Sequence, residues 1–311
     1  MENKVNRVEW IDIAKGIAII FMVMGHTSIP SFLSKYIWSF HMPLFFFMSG
    51  LMYNQQRYNN FSTLLKKRMR TLFVPYWIFT IIVFIGYTGT TYQNAEELYL
   101  GWKGYALWFM PVLFFSNLLF YYIAKLRSNL KLILLACLTA SFGYILFLCG
   151  VHLPFKIEVV PFALFFLIIG YCIKDKAMTF KPNCWICAII GIITIGLSQV
   201  LPKLDMCENY YGIFGINLLN ALLGIVFISI ISYYIANVFG KYSRPLKWAG
   251  ENSLFIMAFS QVFNYWILVS LEKLPIPHIV ALPLRYCLLF GTIYLVSSVI
   301  KKYLPFVIGR R

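Results

Sequence analysis

Charged side chains are scarce in this sequence, and acidic ones are the scarcest. Asp, Glu, Lys and Arg make up 12% of the 311 residues, whereas soluble domains carry roughly 25%. With 60% hydrophobic residues, a soluble globule could not cover its apolar surface. Linkers rich in Gly, Ser or Pro are also missing, and no stretch is long enough for a separate soluble domain. We therefore expect one all-α transmembrane domain over residues 1–311.

A disulfide framework and a cleavable signal peptide are missing too. The seven cysteines are an odd number and most lie inside apolar runs, where they act as small hydrophobic residues. Cys184 and Cys187 form one CxxC motif, but no second pair or His lies near it, so we expect no metal site. Asp12 and Lys15 precede the first apolar run, which lacks a small-residue cleavage site.

Long apolar runs fill the chain instead. A helix that crosses a membrane needs about 20 mostly apolar residues, and ten stretches meet that need. They lie near residues 11–29, 38–54, 72–91, 106–124, 131–150, 155–173, 184–202, 213–238, 252–271 and 279–300. The sequence therefore predicts a polytopic membrane protein of about ten transmembrane helices.

The basic residues explain the net charge of +16 without nucleic acid, because they cluster in short segments between apolar runs. If both termini are cytoplasmic, twenty basic residues lie on the inner side and six on the outer side, with Lys15 inside a span. This asymmetry favours an even number of spans, cytoplasmic termini and a location in the inner (plasma) membrane.

Polar residues form a stripe along the first predicted helix. Asp12, Lys15, Ile19, Met22 and His26 follow one another at steps of three and four, which places them on one face. Lys15 and His26 are about 16 Å apart along the axis. Because an ionisable group at membrane depth costs at least about 2.5 kcal/mol, the stripe should line the protein interior or a water-filled cavity. Alternatively, His26 is an interfacial residue and Lys15 reaches the surface.

Histidine is the side chain best suited to general base catalysis near neutral pH. If the stripe lines an active site, neutral His26 can remove the proton from a hydroxyl group. The imidazole can also act as a nucleophile and carry an acyl group itself. The sequence does not separate these two mechanisms.

Several segments resemble the acyltransferase-3 family of membrane O-acyltransferases, especially its fucose O-acetylase-like branch. The pattern of a basic residue, ten residues and a histidine is met by Lys15 and His26. The matching segments are RVEWIDIAKG at 7–16 with GH at 25–26, FHMPLFFFMSG at 40–50, KKRMR at 66–70 ahead of PY at 75–76, and LWF at 107–109, with weaker matches in FLIIGY at 166–171 and GENSL at 250–254.

The resemblance implies a ten-helix enzyme that takes an acyl-CoA from the cytoplasm and acylates a carbohydrate hydroxyl, often one presented outside or on a lipid carrier. Family members commonly carry a histidine late in the ninth helix. Here that neighbourhood reads Phe259, Ser260 and Gln261, so no role is assigned to it.

Together, the stripe and the resemblance nominate candidate site residues in three groups. The catalytic group is His26, Asp12 and Lys15; the group for the phosphates of coenzyme A is Lys67, Arg68, Arg70 and Tyr76; the acceptor group is His41, Trp108, Glu158 and Arg285. Arg and Lys suit phosphate binding.

Each group has a simpler alternative. The basic stretch could serve membrane orientation or contact anionic lipid, and Trp108 could be an interfacial belt residue. Glu158 and Arg285 could simply face water, and His41 could be interfacial.

The sequence thus predicts a membrane O-acetyltransferase that moves an acetyl group from acetyl-CoA to a carbohydrate or a lipid-linked or cell-surface glycan, with no metal. Its partners would be acyl-CoA, the glycan or glycolipid acceptor and membrane lipid, with a homo-oligomer left open. A secondary transporter or flippase for a carbohydrate or anionic lipid is the alternative. Paired Gly- or Pro-broken spans and inverted repeats, which favour a transporter, are not visible in the sequence.

Overall fold

The computed structural model describes residues 8–27, 29–87, 106–126, 128–179, 181–275 and 277–308. Two predicted features extend beyond these ranges: Arg7 of the segment 7–16 and residues 88–91 of the third span. The basic residues outside them are Lys4, Lys103, Arg127, Arg310 and Arg311. The α-helices are α1 (Glu9–Gly25), α2 (Ser31–Leu51), α3 (Phe61–Arg68), α4 (Val74–Tyr87), α5 (Phe109–Ile123), α6 (Asn129–Leu148), α7 (Val160–Cys172), α8 (Lys174–Thr179), α9 (Cys184–Val200), α10 (Phe214–Phe239), α11 (Arg244–Glu251), α12 (Ser253–Leu271) and α13 (His278–Tyr303).

The all-α prediction is confirmed. Over the described ranges the chain forms helices and no strand, with a single isolated bridge between Asp205 and Tyr210. By length and composition, seven helical segments of the described residues can cross a membrane, and Cys184–Val200 is apolar but shorter. The seven are Phe61–Gly86, Ala106–Ile123, Asn129–Leu148, Pro154–Cys172, Phe214–Glu251, Ser253–Leu271 and Val280–Tyr303.

The predicted number of ten spans is not confirmed by this criterion. Helices α1, with 17 residues, and α2, with 21 residues, occupy the first two predicted spans but are not among the seven. The predicted start of the second span was also too late, because α2 begins at Ser31 and contains Pro43 in its interior.

The chain divides into two compact units. Unit 1 comprises Met1–Arg57, Phe120–Val151 and Glu158–Ser253. Unit 2 comprises Tyr58–Leu119, His152–Ile157 and Leu254–Arg311.

Two reciprocal glycine contacts hold unit 1 together. Where α1 crosses α11, a Cβ on Gly16 would lie 2.0 Å from the Leu246 carbonyl oxygen, and one on Gly250 would lie 1.8 Å from the Asp12 carbonyl oxygen. The crossing therefore requires glycine on both helices, because any side chain would collide with backbone. Small residues allow membrane helices this close approach.

The second contact joins α2 to α7. A Cβ on Gly50 would lie 2.0 Å from the carbonyl oxygen of Leu167, and one on Gly170 would lie 2.2 Å from that of Phe47. This crossing, too, therefore requires glycine on both helices. Gly16 lies near the middle of α1, whereas Gly50 lies next to the last residue of α2.

Unit 2 is organised around aromatic side chains. A five-residue π-helical turn, Met69–Phe73, joins α3 to α4, and the Phe73 and Tyr76 rings pack against Phe155 with centroids 6.1 Å away. Helix α4 also packs against α12, where the Trp266 indole N–H donates to the Gly86 carbonyl oxygen at 3.0 Å. The third predicted span therefore continues a helical segment that begins at Phe61.

Candidate functional site

The stripe on α1 is buried along the helix. Asp12, Ile19 and Met22 have exposed fractions of 1%, 0% and 1%, so this face meets protein, as predicted for a polar stripe at membrane depth. The Lys15 ammonium lies 2.8 Å from the Asp12 carboxylate. The two charges therefore neutralise each other within one turn of helix. The alternative, in which the Lys15 side chain only extends to the membrane surface, is not needed.

His26 lies where α1 ends. The helix stops at Gly25, and His26 is the capping residue, with φ −100° and ψ 15°. Unlike the rest of the stripe, His26 is exposed. Its ring packs edge-on against Trp38 of α2, with ring centroids 5.5 Å apart. A Cβ on Gly25 would lie 3.4 Å from the Trp38 indole nitrogen, which is an ordinary van der Waals contact.

Trp38 lies between the two histidines nominated from the sequence. The His41 ring packs edge-on against it from the other side, with centroids 5.3 Å apart. His41 is 2% exposed, and its Nδ1 is 2.8 Å from the Ile37 carbonyl oxygen. Because a carbonyl oxygen only accepts, Nδ1 carries the proton and Nε2 holds the lone pair in the neutral ring.

An ion pair completes the group. The Lys203 ammonium lies 3.6 Å from the centre of the Trp38 ring and 2.7 Å from the Asp205 carboxylate. The other Asp205 oxygen accepts from the backbone N–H groups of Cys207 and Glu208 at 3.0 and 3.3 Å. We refer to His26, Trp38, His41, Lys203 and Asp205 as the Trp38 cluster.

The loop that carries the ion pair, residues 201–213, is attached to both helices beside it. The Asn217 amide of α10 donates to the Pro202 carbonyl oxygen at 2.7 Å and accepts from the Ile213 N–H at 2.9 Å. Ahead of the loop, Gln199 of α9 donates to the Phe32 carbonyl oxygen and accepts from Lys35, both at 3.0 Å. These bonds keep Lys203 and Asp205 next to α2.

The Trp38 cluster combines groups that proton transfer requires. His26 is exposed, and the charges of Lys203 and Asp205 both act on its ring. An exposed imidazole beside fixed charges can accept a proton from a bound hydroxyl group. Asp12 and Lys15 lie three to four turns of helix away, so they do not touch an atom that reacts at His26.

Glu158 is fully buried in unit 1, so the alternative that it faces water does not hold. Near it, Tyr211 donates to Asn209 Oδ1 at 2.6 Å and stacks on Phe162 with centroids 3.8 Å apart. Burial, and then the nearby Glu158 carboxylate, raise the pKa of Tyr211 well above its ordinary value. Tyr211 therefore stays a protonated donor.

The basic stretch lies at the surface of unit 2. Lys67 and Arg70 are exposed and Arg68 is half-buried; Lys67 lies over the Tyr58 ring at 5.3 Å. Arg70 belongs to the π-helical turn, a feature frequent at functional sites. Tyr76, by contrast, is fully buried in the aromatic core.

Trp108 is 3% exposed and belongs to the short 3-10 turn Ala106–Trp108 before α5. A belt tryptophan would present its ring to lipid, so the burial of Trp108 disfavours that alternative.

Arg285 of α13 is 9% exposed, and its Nε donates to Asn264 Oδ1 of α12 at 2.6 Å. The alternative that Arg285 faces water is therefore excluded as well.

One cavity of unit 1 contains none of the predicted site residues. Its volume is about 310 Å³, and its walls are almost wholly apolar, with Trp10, Phe47 and Tyr233 among the lining side chains. Within the described ranges, no group of three or more His, Cys, Asp or Glu side chains is placed to hold a metal ion.

Three members of the Trp38 cluster were not nominated from the sequence. Trp38 is one of many aromatic residues in a chain that is 19% aromatic, so nothing distinguished it. Lys203 and Asp205 lie in a loop without helical periodicity. The only signal was a Lys and an Asp two residues apart in a polar segment between two apolar runs.

The all-helical fold agrees with the comparison to known families. The sequence model of a family described as an acyltransferase domain matches residues 8–302, which is nearly the whole chain. No curated protein matches the chain, and no solved structure does. This protein therefore belongs to the acyltransferase-3 family, whose members are membrane acyltransferases.

Proposed function

We propose that this protein is an O-acetyltransferase that moves an acetyl group from acetyl-CoA to a hydroxyl of a carbohydrate or a lipid-linked or cell-surface glycan. The observation that carries the proposal is the position of His26. It ends the polar stripe of α1, is exposed, and packs against Trp38 beside the Lys203–Asp205 ion pair. In a chain of this family, such a histidine is suited to proton transfer.

In the proposed reaction, the acceptor oxygen forms a bond to the carbonyl carbon of the thioester while its proton passes to a ring nitrogen of His26. The carbon–sulfur bond then breaks, and the leaving thiolate takes the proton from the imidazolium. The products are the acetyl ester and free CoA thiol. The imidazole ring can both accept and return the proton.

The other nominated residues take supporting roles in this proposal. The exposed cations Lys67 and Arg70 would bind the phosphates of CoA, with Arg68 beside them. His41 and Trp38 would line the acceptor side, and the Asp12–Lys15 pair would fix the position of α1. These assignments rest on charge and exposure.

We also propose ten membrane spans, both termini in the cytoplasm and a location in the inner (plasma) membrane. The distribution of basic residues supports this arrangement. It places Lys67 and Arg70 on the cytoplasmic side, where acetyl-CoA is available, and His26 on the outer side. The acetyl group would then have to reach the outer half of the membrane, or the acceptor would have to reach inward.

The decisive test is His26→Ala in purified protein reconstituted into membranes. A general base contributes about 10²–10⁴ in rate, so acetyl transfer should fall by that factor at equal protein abundance. His152→Ala, which changes an exposed histidine outside the proposed site, is the matched control and should transfer acetyl groups like the wild type. Undiminished transfer by His26→Ala would refute the proposal.

The acceptor can be identified in cells that lack the protein. Mass spectrometry of cell-surface glycans and lipid-linked precursors should show the loss of one acetyl increment from a defined species. Restoring the wild-type chain, but not His26→Ala, should return that increment.

A further inference from the structure

Arg285 carries a buried charge in unit 2, and no carboxylate among the described residues forms an ion pair with it. Its side chain is 9% exposed, and its Nε donates to the neutral amide of Asn264. Glu272 is the single acidic residue among the described residues of unit 2. Glu272 is exposed and forms no ion pair with Arg285; it contributes only a longer-range attraction.

A buried cation without a counter-charge is costly, because burial removes its hydration. A purely structural arginine at such a position would be expected to face a carboxylate. In membrane proteins, a charge at depth marks a place where a substrate or ion binds. The arrangement at Arg285 therefore indicates a site for an anion.

The surroundings of Arg285 suit a polar ligand. Ser260, Gln261 and Asn264 of α12 are 1%, 9% and 9% exposed, and their spacing places them on one stripe of the helix. The buried Ser260 hydroxyl has no hydrogen-bond partner in the described part of the chain. Asn264 holds the guanidinium by Nε alone, so both terminal nitrogens, a planar pair of donors, remain for a ligand.

The depth of Arg285 and Asn264 in the membrane also fits the binding of a lipid headgroup. Asn264 lies seven residues before the end of α12, and Arg285 lies seven residues after the start of α13. In the proposed orientation both of these helix ends are on the outer side. Helix α13 has 26 residues and is about 39 Å long. When this helix is centred on a hydrocarbon core of ~30 Å, Arg285 lies about 6 Å inside the outer boundary of the core.

We propose that Arg285, oriented by Asn264, binds a phosphate group of a ligand of unit 2. The phosphate belongs either to a membrane lipid or to a soluble sugar phosphate. A phosphate accepts two parallel hydrogen bonds from one guanidinium, which explains why Arg is used and why its terminal nitrogens have no protein partner among the described residues. This inference concerns unit 2 alone and goes beyond the proposed acyl transfer.

Binding to the purified full chain tests the inference without acyl transfer. Native mass spectrometry in detergent would compare a long-chain polyprenyl phosphate with the uncharged polyprenol. The phosphate should bind about tenfold or more tightly than the alcohol, because a charged hydrogen bond contributes about 1.5–3 kcal/mol. Equal binding of the two lipids, with no competition by inorganic phosphate, would overturn the proposal.

Two variants and a control make the test specific. Arg285→Gln should remove the preference for phosphate, and Asn264→Asp should do the same while keeping the guanidinium paired and the fold intact. Arg244→Gln, on an exposed surface of unit 1, should leave the preference unchanged. A preference that persists in a folded Asn264→Asp protein would overturn the proposal.

A competition arm identifies the source of the phosphate. Displacement of the lipid by millimolar inorganic phosphate would show that water reaches the site and would favour a soluble sugar phosphate. Resistance to competition would favour a lipid-borne phosphate. Because no acyl donor is present, a failure here leaves the test of His26 unaffected.

Discussion

The two ends of α1 are built in opposite ways. At one end Asp12 is buried and paired with Lys15, and the backbone touches α11 through Gly16 and Gly250. At the other end the helix stops at Gly25, and His26 is exposed, with only an edge-on aromatic contact to Trp38.

Because of this difference, we expect the buried end of α1 to contribute to stability and the exposed end to contribute to the reaction. The buried end tolerates no added atom, so substitutions there should reduce the free energy of unfolding. The exposed end makes no such backbone contact, so substitutions there should reduce activity and spare the fold. Four substitutions test this contrast, ordered by their expected effect on stability.

The largest effect is expected for Gly250→Ala. The new Cβ would lie 1.8 Å from the Asp12 carbonyl oxygen, so α1 and α11 would have to separate. Overpacking of this kind costs about 3 kcal/mol, which should appear as a lower melting temperature in detergent. Gly215→Ala is the control, because its Cβ meets nothing within 4 Å. Equal melting temperatures for the two variants would show that the crossing does not anchor α1.

A smaller loss is expected for Asp12→Ala, because it leaves the partly buried Lys15 charge without its partner. Removing one member of a buried pair costs about 3–5 kcal/mol, and the 18% exposure of Lys15 reduces this to about 2 kcal/mol. The double variant Asp12→Ala with Lys15→Met should recover part of the loss in the same melting assay. A double variant no more stable than Asp12→Ala would argue against the pair.

Lys203→Met should cost still less stability. The Lys203 side chain is 47% exposed, so solvent screens its ion pair, and the combined loss of that pair and the contact with Trp38 is about 1 kcal/mol. Acetyl transfer should fall further than the melting temperature implies, because Trp38 and Asp205 would lose their shared partner. Lys241→Met, which removes an exposed lysine from a tyrosine ring, is the control for both measurements. Loss of transfer in the control as well would exclude a specific role for Lys203.

The smallest effect on stability is expected for His26→Ala. Exposed substitutions away from such contacts usually change stability by less than about 0.5 kcal/mol, so the melting temperature should match that of the wild type while transfer is lost. A melting temperature as low as that of Gly250→Ala would mean that His26 also anchors α1, and the contrast between the two ends would fail.

The helices were predictable where local signals are strong. The predicted span 131–150 closely matches α6, because Ser128 caps the start of an unbroken apolar run and Gly150, with φ 62°, follows its end. The prediction for the third span was poorer. Helix α3 and the π-helical turn precede it in a segment rich in charge, which hydropathy does not recognise as helix.

The candidate site was only half predictable. Periodicity places Asp12 and Lys15 on one face of a helix, and the resemblance draws attention to His26 and His41. No local pattern could show that Lys203 lies over Trp38, because 164 residues separate them in sequence. The contact of Gly250 with Asp12 is equally remote, although the weak motif at 250–254 did mark its position.

The two reciprocal glycine contacts fix α1 at Gly16 and α2 at Gly50. Gly50 lies nine residues beyond His41 and Gly16 lies ten before His26, so each histidine is about 14–15 Å from the glycine of its own helix. A tilt of about 5° about that glycine would move the histidine by about 1 Å, enough to misalign reacting groups. Residues that never approach the acceptor therefore influence the distance between the two imidazoles.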